Sequence, residues 1–555
     1  MPHDIPLPAN LAHQVRRVAR DRLGLDELRP GQEEAIIAVL EGSDTLAVLP
    51  TGFGKSAIYQ IAGALLPGAT LVVSPLIALQ RDQVEAISNQ DIGDAALVNS
   101  TLRSTERKDA LAEVAGGERE FLFLAPEQLA NEETLAQLRD IAPSLLVVDE
   151  AHCVSEWGHD FRPEYLRLGA VAATLGQPRI LALTATASPP VREEIAARLG
   201  MRDPRVIVHG FDRPNIHLAV EGFADGEEKT DALLDRVVVA AKPGIVYAAT
   251  RGRTEAIAAA LVDRGIGAAA YHAGMSAGAR EQAQDGFMND EIEVIVATTA
   301  FGMGIDKPNV RFVFHHDVSE SVDAYYQEIG RAGRDGEPAS AILFFRLEDL
   351  NLRRFFAGSG NVDPEDLERI AELVSSAGGP IDAATIQETV DLSQTRTMAA
   401  IQRLEDIGAV EVRPSGEVIA ANEIDPGQAA ALAMTEQEQR RKFTRSRLEM
   451  MRGYADMRGC RRQYILNYFG ETFEPPCGDC DRCDAGLPDE DGALDQLPFP
   501  LGAAVVHDAW GDGVIMRYAG ESMVVLFDSV GYRTLSIPIV LEKGLLSPAG
   551  ATPPL

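Results

Sequence analysis

Short apolar runs, each closed by glycine, proline or acidic residues, punctuate the first part of the chain. Leu46-Ala47-Val48-Leu49 and Leu145-Leu146-Val147-Val148 are two of them. A run of four without polar alternation predicts a strand covered on both faces, as in a parallel sheet flanked by helices. Further along, segments 364–377, 383–390 and 394–407 read as helices, and two short strands flank Pro414-Ser415-Gly416. Three helices followed by a small hairpin is the order of a winged helix. Residues 486–499, rich in Gly, Pro, Asp and Glu, read as a linker. The runs around Val505-Val506, Val524-Val525-Leu526-Phe527 and Arg533-Thr534-Leu535 alternate at strand period and predict a small SH3-like barrel.

The turns that close the early strands carry the chemistry. After Leu46–Leu49 comes Pro50-Thr51-Gly52-Phe53-Gly54-Lys55-Ser56. Gly52 and Gly54 let the backbone turn tightly and aim N–H groups at phosphate oxygens. Lys55 reaches the outer phosphates, and the Ser56 hydroxyl suits Mg²⁺. A helix expected from about Ser56 adds its N-terminal dipole. The strict phosphate-loop pattern fails, because Leu49 stands where its first Gly would be. Asp149 and Glu150 end the second strand, roughly 95 residues downstream. Asp149 suits an outer-shell role on Mg²⁺, and Glu150 the activation of water. Much later, Gln327-Glu328-Ile329-Gly330-Arg331-Ala332-Gly333-Arg334 places two arginines three apart, on one face of a helix or turn. Guanidinium groups reaching across a cleft stabilise charge on a transferring phosphoryl group. A site shared by two lobes turns hydrolysis into motion.

Four of the five cysteines, Cys460, Cys477, Cys480 and Cys483, have spacing that closes a tetrahedral, structural Zn²⁺ site. Disulfides are the alternative, disfavoured in a cytosolic setting. Cys153 reads as a small packed residue. No apolar run approaches membrane-spanning length, and Asp4, Arg16, Arg17 and Arg20 interrupt any secretory core, so a cytoplasmic, nucleoid-associated protein is expected. The net charge of −33 argues on its face against nucleic-acid binding, but a strand can be gripped in a local groove. Only seven of the basic residues are lysine, and Lys55 and Lys307 stand inside motifs. From Arg440 to Arg462 nine basic residues face only Glu449 and Asp456, which predicts a stripe for the DNA backbone.

Taken together, these motifs resemble RecQ-type DNA helicases of superfamily 2, over about residues 20–357 and 435–485. Leu28-Arg29-Pro30-Gly31-Gln32 looks like the adenine-recognising motif, with Gln32 as base reader. Where the family carries aromatic residues nearby, this chain has Leu23, Leu25 and Leu28, so weaker stacking on adenine is expected. Val73–Leu79 and Leu124–Glu127 look like strand-contacting segments. Leu183-Thr184-Ala185-Thr186-Ala187 looks like the motif coupling ATP and DNA sites. Gly210-Phe211-Asp212-Arg213-Pro214-Asn215, Tyr271–Met275 and Ala300–Pro308 are near-family strings. The most discriminating is Cys153–Tyr165, resembling the aromatic-rich loop of RecQ proteins, where Trp157, Phe161 and Arg162 would stack on unpaired bases and report DNA occupancy.

The resemblance implies an α/β fold of two RecA-like parallel-sheet lobes, roughly 1–205 and 206–345. After them come a connector and winged-helix-like insertion at 346–434, a zinc-binding helical module at 435–485 and a barrel at 500–555. It implies an ATP-, Mg²⁺- and Zn²⁺-dependent helicase moving 3′→5′ on single-stranded or branched DNA in repair and recombination. Arg29, Gln32, Thr51, Gly52, Gly54, Lys55, Ser56, Asp306 and Gln327 would hold nucleotide. Lys55, Asp149, Glu150, Arg331 and Arg334 would carry the reaction, with Mg²⁺ at Ser56 and Asp149. Trp157, Phe161, Arg162, Thr184 and Thr186 would couple it to DNA. In the insertion, Gln394, Arg396, Thr397 and Arg403 lie on the expected recognition helix, unless the unit serves only for packing. The barrel resembles the Tudor-like tail of UvrD-type helicases, which implies a contact with RNA polymerase or a repair protein, the alternative being a stabilising cap. Three rivals remain: a DNA-stimulated translocase with little unwinding, an RNA helicase, and a non-hydrolysing scaffold.

Overall fold

The computed structural model describes residues 9–75, 77–90, 92–99, 102–155, 162–302, 305–358, 362–413, 416–422, 424–486, 497–519 and 522–549. It divides into two units. Unit 1 comprises residues 1–346 and 454–492, and unit 2 residues 347–453 and 493–555.

Unit 1 holds two parallel sheets. The first consists of β1 Thr45–Val48, β2 Thr70–Val73, β3 Ala95–Val98, β4 Phe121–Leu124, β5 Leu145–Val148, β6 Arg179–Thr184 and β7 Arg205–Val208. Their order is β3-β4-β2-β5-β6-β1-β7. Every residue of β1, β2, β4 and β5 is buried, as expected for strands with helices on both sides. Ala47, Val72, Phe121, Phe123, Val147, Leu181 and Leu183 pack with Ile36, Val39, Ile58 and Ile61 of helices Gln32–Leu40 and Lys55–Leu65. Because side chains alternate along a strand, Leu46, Val48, Leu71 and Leu146 are buried on the opposite face. Parallel pairing also places the carboxyl ends of β5, β6 and β1 side by side. The loops after β1 and β5 therefore leave the sheet together, with the end of β6 between them, the usual place for ligand in an open α/β sheet.

The second sheet consists of β8 Ile216–Gly222, β9 Gly244–Tyr247, β10 Ala268–Tyr271, β11 Val294–Ala297, β12 Phe312–His315 and β13 Ala339–Phe345, in the order β10-β11-β9-β12-β13-β8. Helix Val322–Ile329 follows β12 and delivers Arg331 and Arg334. The cysteine-bearing part of the zinc module, from Tyr454 on, belongs to this unit. Its helix Arg461–Tyr468 and the short turn of helix Asp481–Asp484 lie along β8, with Cys480 bridged to Leu218 and the Leu218 N–H donating to the Asp479 carbonyl at 3.4 Å.

Unit 2 begins with helix Asp349–Gly358 and continues with helices Pro364–Ser376, Ala383–Val390 and Gln394–Asp406, joined by a three-stranded sheet of β14 Ile381–Asp382, β15 Val410–Val412 and β16 Glu417–Ala420. This is the expected winged-helix order, plus a two-residue strand too short to show a period. The long helix Pro426–Asp456 adds Ala429, Ala430 and Ala433 to its core. The tail is a five-stranded antiparallel sheet of β17 Ala504–His507, β18 Gly511–Ala519, β19 Ser522–Phe527, β20 Gly531–Ser536 and β21 Leu546–Pro548. Its last strand returns to pair with the first, and helix Ile537–Lys543 precedes that return.

Candidate active site and zinc centre

The phosphate loop is held from below. The Gln32 amide donates to the carbonyls of Phe53 and Gly54 at 2.8 and 2.9 Å, its oxygen accepts from the Arg29 N–H at 2.8 Å, and the Arg29 guanidinium donates to the Gly52 carbonyl. Gly52 and Gly54 sit at φ +77° and +70°, a region that penalises any Cβ. With those carbonyls tied back, the loop is a preformed cradle of the kind that binds anions. Gln32, expected to read adenine, is buried and bracing the loop in this structure. Leu23, Leu25 and Leu28 pack against the core of the first lobe, and Arg29 lies 5.2 Å from the Phe53 ring centre.

Lys55 begins the helix and donates to the Leu49 carbonyl at 3.3 Å. Burial lowers its pKa, while Glu150 and Asp149 pull it back up. Asp149 accepts from the Glu150 N–H at 3.0 Å and the Ser74 hydroxyl at 3.4 Å. Burial, then the Glu150 charge, push its carboxyl up to about 6. Two acids in so small a space are suited to a cation between them and the lysine. Tyr59 lies beside this acid and Ser56, its hydroxyl donating to Gln83 at 2.9 Å.

Glu150 adopts φ +49°, which turns the chain into the 3₁₀ turn Ala151–Val154 and brings His152 back under the carboxylate. His152 Nδ1 lies 3.3 Å from Glu150 Oε2 and 2.9 Å from Thr184 Oγ1. The Thr184 hydroxyl in turn accepts from the Thr186 N–H at 3.2 Å. The Asp149-Glu150 turn and the Leu183–Ala187 segment are thus joined by a buried imidazole, a residue that local pattern does not mark as functional.

The second lobe supplies the other wall. A Cβ on Gly52 would lie 3.2 Å from the Arg334 side chain, and one on Gly330 would lie 3.7 Å from Thr51. Arg334 pairs with Asp306 at 2.5 Å, and its pKa is lowered by burial and by Arg331. Arg331 is buried beside the Tyr247 phenol, which donates to the Phe301 carbonyl at 2.8 Å and whose pKa burial pushes up to about 12. Gln327 lies half-buried on the same helix. The structure therefore brings together Arg29, Gln32, Thr51, Gly52, Gly54, Lys55, Ser56, Asp149, Glu150, Thr184, Thr186, Asp306, Arg331 and Arg334. Trp157 and Phe161 lie outside the described residues. Arg162, just after the undescribed part of the expected DNA-sensing loop, donates to the Pro75 carbonyl at 3.2 Å.

The sulfurs of Cys460, Cys477, Cys480 and Cys483 lie within 4.8 Å of one another, none in a disulfide. Cys477 and Cys483 are 3.8 Å apart, close to the edge of a tetrahedron with Zn–S bonds of about 2.3 Å. The Asp479 and Cys483 N–H groups donate to Cys477 and Cys480 sulfurs at 3.4 and 3.5 Å, the outer-shell support that a thiolate site requires.

Comparisons with known proteins decide the family. Residues 29–195 match the DEAD/DEAH box helicase model, 228–336 the helicase conserved C-terminal domain, and 422–484 the RecQ zinc-binding domain. The probable ATP-dependent DNA helicase RecS of Bacillus subtilis (strain 168) is 34% identical over 491 residues, covering 87% of this chain and 95% of that protein. The chain belongs to the RecQ family of ATP-dependent DNA helicases. ATP-dependent DNA helicase RecQ of Pasteurella multocida is also 34% identical, over 89% of this chain but 65% of its own length, so this chain spans just under two thirds of that relative. Among solved structures, the DUF1998 helicase MrfA bound to DNA and AMPPNP shares the fold at a TM-score of 0.52, with 19% identity, 76% of this chain and 63% of that one covered.

Within this RecQ-family frame one expectation is corrected. The nine-residue basic stripe is not a continuous DNA-facing surface. Arg461 is fully buried and makes a two-pronged pair with Asp481 at 3.0 and 3.2 Å. Arg462 pairs with Asp212 at 2.6 Å, and Arg440 with Asp406 at 2.8 Å and Glu436 at 2.7 Å. Of the nine, Lys442, Arg445 and Arg458 are exposed. Asp406, Asp212 and Asp481 are distant in sequence from the arginines they pair with, so local counting misses them. Arg213 was also overlooked. It donates to the carbonyls of Gly330, Ala332 and Gly333 at 2.9, 2.7 and 3.1 Å, so it holds the arginine turn from inside the quoted Gly210–Asn215 string.

Proposed function

We propose that this chain binds Mg²⁺-ATP between its lobes and couples hydrolysis to 3′→5′ movement on single-stranded DNA and to duplex unwinding in repair or recombination. Lys55, Thr51, Gly52, Gly54 and Ser56 would hold the phosphates, Ser56 and Asp149 the Mg²⁺, and Arg29, Gln32, Asp306 and Gln327 the rest of the nucleotide. When bound, Mg²⁺-ATP supplies an electrophilic phosphorus and a good leaving group. Glu150 orients water and takes its proton, with His152 fixing the carboxylate. Arg331 and Arg334 place positive charge where negative charge accumulates. The observation that carries this reading is Arg334 of the second lobe lying over Gly52 of the phosphate loop. A hydrolytic site that needs both lobes changes their relation in every cycle. The direction of movement rests on the family resemblance, as do single-stranded and branched DNA as substrates and a nucleoid-associated location. Among the described residues no helix is long and apolar enough to cross a membrane.

One observation favours a translocase with modest unwinding. On the winged-helix-like insertion, Arg396 pairs with Asp363 and Asp366 at 2.5 and 2.6 Å, Arg403 pairs with Asp406 at 3.5 Å, and Thr397 is buried. Gln394 remains exposed, but the cations that would grip duplex phosphates are already paired within the module. For the Tudor-like barrel, Tyr532 is buried with its ring 6.1 Å from Phe443, and Trp510 stacks on His507 at 4.2 Å. Docking to RNA polymerase or a repair protein would fall to the exposed Ile539 and Leu541.

ATP turnover with and without single-stranded DNA, in the unmodified protein and in Lys55→Ala, tests the proposal. Turnover that rises with DNA and vanishes in the variant is expected. Turnover indifferent to DNA would contradict the coupling.

A further inference from the structure

The segment joining the lobes runs from the end of β7 to the start of β8. Phe211, near its middle, is held on every side. Its ring stacks on Phe469 of the zinc module, centroids 4.3 Å apart and planes 3° from parallel. Tyr326 tilts against it at 5.7 Å, and the Arg192 guanidinium of the first lobe lies 5.8 Å from its centre. The Phe211 N–H donates to Glu471 of the zinc module at 2.9 Å, and its carbonyl accepts from the Tyr326 hydroxyl at 2.9 Å. Asp212, next in line, takes the pair with Arg462 described above, and Arg213 holds the arginine turn.

Arg192 closes the arrangement from the first lobe. Its Nε donates to the Ala187 carbonyl, at the end of the coupling motif, at 2.9 Å, and its Nη2 donates to the Phe469 carbonyl at 2.7 Å. Burial drives its pKa down to about 10, with Glu471 opposing. Gly470 adopts φ +79°, and a Cβ there would lie 2.9 Å from Pro189, so the zinc module reaches the first lobe by close backbone approach. One small cluster thus touches the coupling motif, the interlobe segment and the helix that carries the arginines.

We propose that Arg192, Phe211, Phe469 and Glu471 form a clamp on the interlobe segment. Through it the zinc module positions Arg331 and Arg334 for hydrolysis, independently of any DNA contact of its own. The inference rests on the ATPase reading above. Phe469 and Arg192 are positioning residues: they act through Phe211 and Arg213 on the arginine turn. The zinc module's buried arginines fit this role: Arg461 pairs with Asp481 inside the module, and Arg462 reaches out to Asp212 of the interlobe segment.

The test uses full-length protein carrying Phe469→Ala, Phe469→Tyr, Arg192→Gln or Arg192→Lys. Unmodified protein with no DNA-stimulated turnover would sink the ATPase reading itself, which separates that failure from failure of the clamp. Given stimulated turnover, Phe469→Ala and Arg192→Gln should lower kcat at saturating DNA about 10- to 100-fold, as small misplacements of distant supports do. KM for ATP and affinity for single-stranded DNA should change less than kcat, and zinc should stay at one per chain. Phe469→Tyr keeps the stack and should restore most of the rate. Hydrogen exchange provides a readout besides activity. Peptides containing Phe211 should exchange faster in both disruptive variants, while peptides from β1 and β12 stay protected. If Phe469→Ala loses zinc or unfolds, Arg192→Gln, which leaves the zinc module's own residues intact, decides the matter. Weakened DNA binding with kcat at saturating DNA unchanged would overturn the proposal. So would unchanged exchange at Phe211 in Arg192→Gln.

Discussion

His152 Nδ1 lies 2.9 Å from the Thr184 hydroxyl and 3.3 Å from a Glu150 carboxylate oxygen, so one buried ring spans the acidic box and the end of the neighbouring strand β6. Movement of the Thr184–Thr186 turn must therefore be felt by Glu150, the residue proposed to activate water. Thr184→Val keeps the shape of the side chain but removes the hydroxyl. The expected outcome is ATP binding near normal, with loss of most of the stimulation by DNA, read from ATPase rates across a DNA titration.

Gly52 faces the Arg334 side chain at close quarters. Gly52→Ala combines a positive φ with a 3.2 Å approach to Arg334. The backbone term alone costs about 1–2 kcal/mol. Nucleotide affinity measured with a fluorescent ATP analogue should fall at least tenfold, while the thermal unfolding of unit 2 stays unchanged.

Asp317 is almost fully buried with Lys229 and Arg253, 3.8 and 2.5 Å from its carboxylate. Burial raises its pKa, but the His316 hydrogen bond and the cations outweigh that and leave it well below the usual carboxylate range. A depressed folded pKa contributes stability above the unfolded value of about 4, and loses it as pH falls below that. Asp317→Asn removes the counter-charge of buried Lys229 and of the partly exposed Arg253 and should cost about 3–5 kcal/mol near neutral pH in denaturant unfolding, with a smaller difference from the unmodified protein in acid.

Cys477→Ser should release one zinc per chain and loosen the module, because structural zinc supplies folding free energy. Since Asp481 is held by Arg461 beside the cysteines and Val220 donates to Asp481 at 3.1 Å, the second lobe should loosen with it. Metal analysis together with hydrogen exchange along β8 checks this.

What was legible in the sequence is what local strings encode. Lys55, Asp149 and Glu150 announce themselves because each follows a four-residue apolar strand whose end must carry a loop. The winged-helix order was legible from helical patterning, and the cysteine spacing from ligand geometry. The contacts that assemble these parts were not. Phe211 and Phe469 stack across 258 positions, and no local pattern marks either ring. Arg461 reads as an exposed cation until Asp481 is placed on it. Nor does any local pattern mark Gly531, where a Cβ would lie 2.3 Å from the Ser446 hydroxyl, so that edge of the tail sheet is seated on the long helix.

The central claim is that hydrolysis in the interlobe cleft drives work on DNA. The most direct measurement follows ATP turnover and strand displacement together on a 3′-tailed duplex, comparing the unmodified protein with Glu150→Gln. The account predicts that the unmodified protein displaces the strand only with ATP and Mg²⁺, and that Glu150→Gln binds ATP and DNA but does neither reaction. Near-normal turnover in Glu150→Gln would contradict the assignment of the water-activating base. ATP turnover without any DNA-dependent movement or displacement would contradict the claim as a whole.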